Sequence, residues 1–155
     1  MSRGKSKDHK KSESVYFKIL DNISQDMGKN ITFTSDLNKA GKKYLGNKFK
    51  GAYPSDRIPK LNRLTPYAII NVDNSKQRGS HWLGIALAKD DSILVYDSFG
   101  RDNSTLVPTL SRVYKNVKDT EKDAEQRIKE HNCGQRSLAW LIFFDKYGED
   151  AARNI

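Results

Sequence analysis

Apolar residues recur along this chain in two rhythms, one of coiled and one of extended segments. Tyr16, Ile19, Leu20 and Ile23 fall three and four positions apart, on one face of a helix, and Ser14 stands where its N-cap would be. Leu37, Ala40, Tyr44 and Leu45 repeat the pattern behind a second cap candidate, Ser35, with Gly46 as the stop. Periodicity is then lost. Between 46 and 66, Gly46, Gly51, Pro54, Pro59 and Pro66 interrupt a basic run, which predicts an irregular loop.

Pro66–Val72 is apolar and β-branched and breaks at Asp73-Asn74-Ser75, which predicts a strand. His81–Ala88 and Ser92–Asp97 read as two more, joined by Lys89-Asp90-Asp91 into an antiparallel hairpin. Thr105–Lys115 is expected to be helical, with Pro108 tolerated in the first turn. Asn116–Glu130 is too polar to assign. Cys133–Tyr147 carries Leu138, Ala139, Trp140, Leu141, Ile142 and Phe144 and ends before Gly148, which predicts a mostly buried helix that opens on Cys133. Helices around a sheet, without a βαβ rhythm, give an α+β class: a central, mostly antiparallel sheet packed by helices. Residues 1–13 are poor in apolar side chains and are expected to be a disordered basic tail before a single domain, 14–155.

A length of 155 residues accommodates one core. The single cysteine excludes an internal disulfide framework and a cysteine-based zinc site, since either needs partners. No run reaches the ~18 apolar residues of a membrane span, and the basic N-terminus lacks the apolar middle of a secretory signal, so an intracellular protein without a membrane partner is expected. The formal net charge is +9, and it is localised. Residues 1–14 hold five basic side chains against two acids, and residues 42–63 hold seven against Asp56 alone. Concentrated positive charge points to a polyanion, with Lys42, Lys43, Lys48 and Lys50 as candidate nucleic-acid contacts, because phosphate neutralisation releases counterions. Solubility alone is the plainer explanation of the same charge.

Chemistry concentrates on Cys133. At a helix start, the dipole favours the thiolate, and Gly134 beside it lets a substrate backbone approach. Of three histidines, His9 lies in the tail and His131 is only two residues from Cys133; His81, which opens a strand, is the best base. The hairpin brings Asp97 to the same open end as His81, whereas Asp90 and Asp91 lie at the turn end, so Asp97 is the choice for orienting the imidazole. A structural cysteine in a small basic nucleic-acid-binding protein is the non-enzymatic alternative.

Gly79-Ser-His-Trp82, Val95-Tyr-Asp-Ser-Phe-Gly100 and Asn132-Cys-Gly134 resemble segments of the adenovirus-type maturation proteases (adenains), above all those of virophages and polinton-like viruses. Phe49-Lys-Gly51 and Asp56-Arg-Ile-Pro59 resemble a pre-strand segment of the polinton-type proteins, and the likeness spans roughly residues 48–145. The SUMO-deconjugating proteases share the His, acid, Cys order more distantly. The resemblance implies an adenain-like cysteine protease fold and a triad of Cys133, His81 and Asp97, needing no metal or other cofactor for catalysis. It also implies an oxyanion-hole glutamine, for which Gln126, seven residues before Cys133, has the matching spacing. Gln135 competes but lies within the helix. Trp82 and Gly134 become candidate substrate contacts. The implied function is cleavage of viral capsid precursors during particle maturation, by a monomer in the virion and the infected cell's viral factory, with stimulation by viral DNA. Two departures stand out: Asp97 replaces the adenovirus glutamate, and no second cysteine exists for the disulfide through which a peptide activates the adenovirus enzymes.

Overall fold

The computed structural model describes residues 7–28, 33–73, 81–120 and 132–155. Helix α1 (Lys7–Met27) leads into α2 (Thr34–Leu45), and a 3₁₀ turn at Gly46–Lys48 enters strand β1 (Phe49–Tyr53). Strands β2 (Tyr67–Asn71), β3 (Trp82–Leu87) and β4 (Ile93–Tyr96) follow, then two single-turn helices, α3 (Asn103–Leu106) and α4 (Leu110–Val113). Strand β5 (Val117–Asp119), helix α5 (Cys133–Tyr147) and a last turn, α6 (Glu149–Ala152), complete the order. The class is α+β, with one five-stranded sheet ordered β1-β2-β3-β4-β5.

The sheet is mixed rather than mostly antiparallel. Its central pairs, β2–β3 and β3–β4, are antiparallel, but β1 pairs parallel to β2 and β5 parallel to β4. Both parallel strands are edges that the sequence pattern does not reveal. β1 lies inside the segment expected to be irregular: Phe49 and Ala52 are buried around exposed Lys50, and pairing with β2 makes it a strand despite two nearby glycines. β5 is a three-residue edge in a polar stretch.

Helix α1 begins at Lys7, inside the expected disordered tail, so Ser14 is mid-helix and not a cap. Lysine and glutamate are adequate helix formers, and an apolar face that starts at Tyr16 can carry two polar turns ahead of it. The single helix expected over 105–115 is split. Val107, forced out of the helical region by Pro108, has φ −137° and ψ 72°, and separates α3 from α4.

Every central strand is covered on both sides, which is why the strands read as continuous apolar runs. One face, including Ile69, Ala86, Leu94 and Tyr96, packs on α1, α2 and α5. The other, with Ile70, Leu83, Ile85 and Val95, lies under Val107 and Leu110. Helix α5 is buried from Cys133 through Phe144, as its composition predicts, and lies against β3. Its first residue is therefore delivered to the start of β3.

Candidate active site

The β3–β4 hairpin, paired from Leu87↔Ile93 to Gly84↔Tyr96, turns through residues 88–92. His81, one residue before β3, and Asp97, one residue after β4, leave the ladder together at the end away from that turn. His81 Nε2 and Asp97 Oδ1 are 2.5 Å apart, and both residues are buried. Cys133 reaches the same place from α5: its Sγ accepts the Trp82 backbone N–H at 3.4 Å and also interacts with the His81 ring. Asp97 takes Nε2, and Nδ1 is the other nitrogen of the ring.

Electrostatics favour an ionised pair. Burial pulls the His81 pKa down, but the Asp97 hydrogen bond, then the Cys133 hydrogen bond and charge, outweigh it, and the imidazole ends above its ordinary value. Burial pushes Asp97 up. The His81 hydrogen bond and charge, followed by the Phe99 and Arg101 amides, reverse this and hold its carboxyl below the usual range. The Phe99 N–H donates to Oδ1 at 3.1 Å and the Arg101 N–H to Oδ2 at 2.9 Å.

The start of α5 is fixed by two further contacts. Ser137 Oγ donates to the Trp82 carbonyl at 3.1 Å, so the first turns of the helix are bonded to the backbone next to His81. The Arg136 N–H to the Asn132 carbonyl, at 2.9 Å, is the first intrahelical bond there. The Cys133 and Gly134 amides precede it, in the part of a helix whose donors have no intrahelical acceptor. Gly134 is buried in this turn.

Other sequence candidates fall elsewhere. The Trp82 side chain is only 5% exposed and belongs to the core cluster between sheet and helices, so its clear contribution here is its backbone. Gln126 and His131 lie outside the described residues, as does the side chain of His9. Gln135 points away: its Nε2 donates to the Gly28 carbonyl at the end of α1, 2.9 Å away. Of the four candidate lysines, Lys42 donates to the Phe49 carbonyl at 2.7 Å, Lys43 pairs with Asp26 at 2.7 Å and Lys48 with Asp145 at 2.9 Å. Lys50 is exposed and makes no ion pair among the described residues.

Phe99, Arg101 and Ser137 join the site without being among the sequence candidates. For Arg101 a signal existed, a cation four residues after the candidate acid, across a turn that ends in glycine. Among the described residues, no group of three or more His, Cys, Asp or Glu could hold a metal ion, and no helix is long and apolar enough to cross a membrane. No protein-family model matches the chain, and no curated protein sequence does either.

Proposed function

We propose that this chain is a cysteine endopeptidase in which Cys133 is the nucleophile, His81 the general base and acid, and Asp97 the group that orients the imidazole. The observation that carries this reading is the buried His81–Asp97 pair at 2.5 Å with the only cysteine of the chain beside the ring at the start of a helix. A thiol, an imidazole and a carboxylate in that order are what acyl transfer to sulfur requires.

In this mechanism His81 accepts the Cys133 proton, and the thiolate attacks the scissile carbonyl carbon. The oxyanion is held by the Cys133 amide and the Gln126 side chain, the latter by resemblance to the adenains. Losing one such donor costs on the order of 10²–10³ in rate. As the C–N bond breaks, His81 gives its proton to the leaving amine. Water then attacks the thioester, His81 takes up a water proton, and the second product leaves as a carboxylic acid while the thiol is restored. Asp97 stays ionised throughout and stabilises the imidazolium.

The resemblance to the adenains supplies the substrate class: virion and capsid precursors, cut beside small residues such as glycine during maturation, in the particle or the viral factory. The same likeness, together with the basic segments, supports stimulation by viral DNA. Asp97 favours a second reading, because the ubiquitin-like-modifier deconjugating branch also uses aspartate. Capsid-precursor fragments and modifier fusions, each offered to wild type, Cys133→Ala and His81→Ala, separate the two. Wild type is expected to cut the precursors and leave the fusions intact, with both variants inactive. Undiminished cleavage by either variant would sink the mechanism.

A further inference from the structure

Asp97 and His81 are held by more than each other. After β4 the chain turns through Asp97-Ser98-Phe99-Gly100, closed by the Gly100 N–H on the Asp97 carbonyl at 2.8 Å, with Gly100 at φ +68°, where glycine bears no Cβ penalty. That turn returns Arg101 to the carboxylate. The Asp97 oxygen not used by His81, Oδ2, accepts from the Arg101 backbone N–H and, at 3.1 Å, from Arg101 Nε. The guanidinium carbon lies 4.8 Å from the centre of the Phe99 ring, and that ring lies 4.9 Å from the His81 ring. Four side chains form a closed circuit, Arg101 to Asp97 to His81 to Phe99 and back. The Asp97 side chain is 3% exposed and that of Arg101 47%, so the circuit is anchored inside and braced from the solvent side.

We infer that Arg101 is a positioning residue for His81, fixing the rotation of the Asp97 carboxylate through Nε and holding, through Phe99, the ring against which the imidazole packs. This rests on the reading of His81 and Cys133 as a reactive pair. Without its side chain, residue 101 still holds Oδ2 through its backbone N–H, and the planar guanidinium adds a second donor on that oxygen that narrows the rotation of the carboxylate about its terminal bond. The charge of Arg101 acts in the opposite sense. It shares the Asp97 charge and weakens the pull on the imidazolium, so removing a mere charge would strengthen the His81–Asp97 interaction. The two roles differ in sign, and one experiment separates them.

The probe is iodoacetamide. Its reaction with the full chain at about pH 6 reports Cys133 alone, since the chain has no other cysteine. Wild type, His81→Ala, Arg101→Ala, Arg101→Lys and Phe99→Leu are compared well below their unfolding temperatures, with circular dichroism as the check on folding. A positioning role predicts about a tenfold slower reaction for Arg101→Ala than for wild type. Arg101→Lys, which keeps the cation without the planar donor, should fall between them, and added methylguanidinium should restore part of the Arg101→Ala rate. Arg101→Lys decides the matter if Arg101→Ala does not fold. An Arg101 variant that reacts as fast as wild type, or faster, while His81→Ala is slow overturns the inference and leaves the reactive pair standing. A wild type no faster than His81→Ala removes the pair, and the inference with it.

Discussion

Asp97 is bonded at both carboxylate oxygens. One oxygen takes His81 and the Phe99 amide, the other takes Arg101 twice. Asp97→Asn keeps the shape but presents an N–H or a weaker acceptor to the ring, and turnover should fall about 10²–10⁴-fold in a peptide-cleavage assay. The same pair makes stability depend on pH. The Asp97 carboxyl is held low, so its contribution is present above the unfolded value of about 4 and is lost as pH falls through the folded one. The His81 imidazole is raised, so its contribution is full below about 6.5 and is lost as pH rises through its folded value. The urea midpoint of wild type should therefore exceed that of Asp97→Asn most between about pH 4 and 6.5, with the gap narrowing on either side. A gap that is constant with pH would contradict the coupling. At this scale the sequence was informative where chain order and strand ends decide proximity. Asp97 could be chosen over Asp90 and Asp91 because a hairpin has only two ends. Arg101 was not, because a turn's return depends on dihedral angles that no apolar pattern encodes.

Helix α1 joins both halves of the site. The Tyr16 hydroxyl is 2.8 Å from the hydroxyl of Tyr96, the residue before Asp97, and 3.5 Å from the carbonyl of Arg136 in the first turn of α5. Gln135 donates to the carbonyl of Gly28, the residue just past the end of the same helix. Tyr16→Phe should lower stability by about 1 kcal/mol, measured by urea denaturation, while keeping the ring's packing. Helix α2 is set by a close approach instead: a Cβ at Gly41 would lie 2.2 Å from the buried Phe49 ring. Gly41→Ala should cost about 1–3 kcal/mol in the same measurement, and a neutral result would mean that α2 can lift off β1 without penalty. Elements with a full apolar face, α2, β2 to β4 and α5, were legible from spacing. β1 and β5 were not, because an edge strand is made by its partner's unpaired backbone as much as by its own side chains. The start of α1 was missed for a related reason, since polar turns extend an amphipathic helix once its apolar face is docked.

For the molecule as a whole, charge and chemistry occupy different ground. The basic segment 42–63 spans the end of α2, β1 and the loop after it, whereas His81, Asp97 and Cys133 lie at the open end of the β3–β4 hairpin. Lys43 and Lys48 are ion-paired and Lys42 is held on the Phe49 carbonyl, which redirects the nucleic-acid proposal to Lys50, Arg57 and Lys60, all exposed. If DNA binds there, replacing these three with alanine should reduce the slope of log affinity against log salt by about one per residue. Lys43→Ala and Lys48→Ala should change it less, and an affinity insensitive to salt would exclude a phosphate-driven contact. The α+β class was readable from the order of helical and extended segments, while its parallel edges and the packing of α1 on α5 required the folded chain.

Whether His81 and Cys133 act as one unit is read from the rate of Cys133 alkylation by iodoacetamide in wild type and His81→Ala, from about pH 5 to 9. A coupled pair gives a wild-type rate at about pH 6 roughly 10²-fold above that of the variant, with the two converging as ordinary thiols ionise above about pH 8.5. Equal rates at every pH would contradict it.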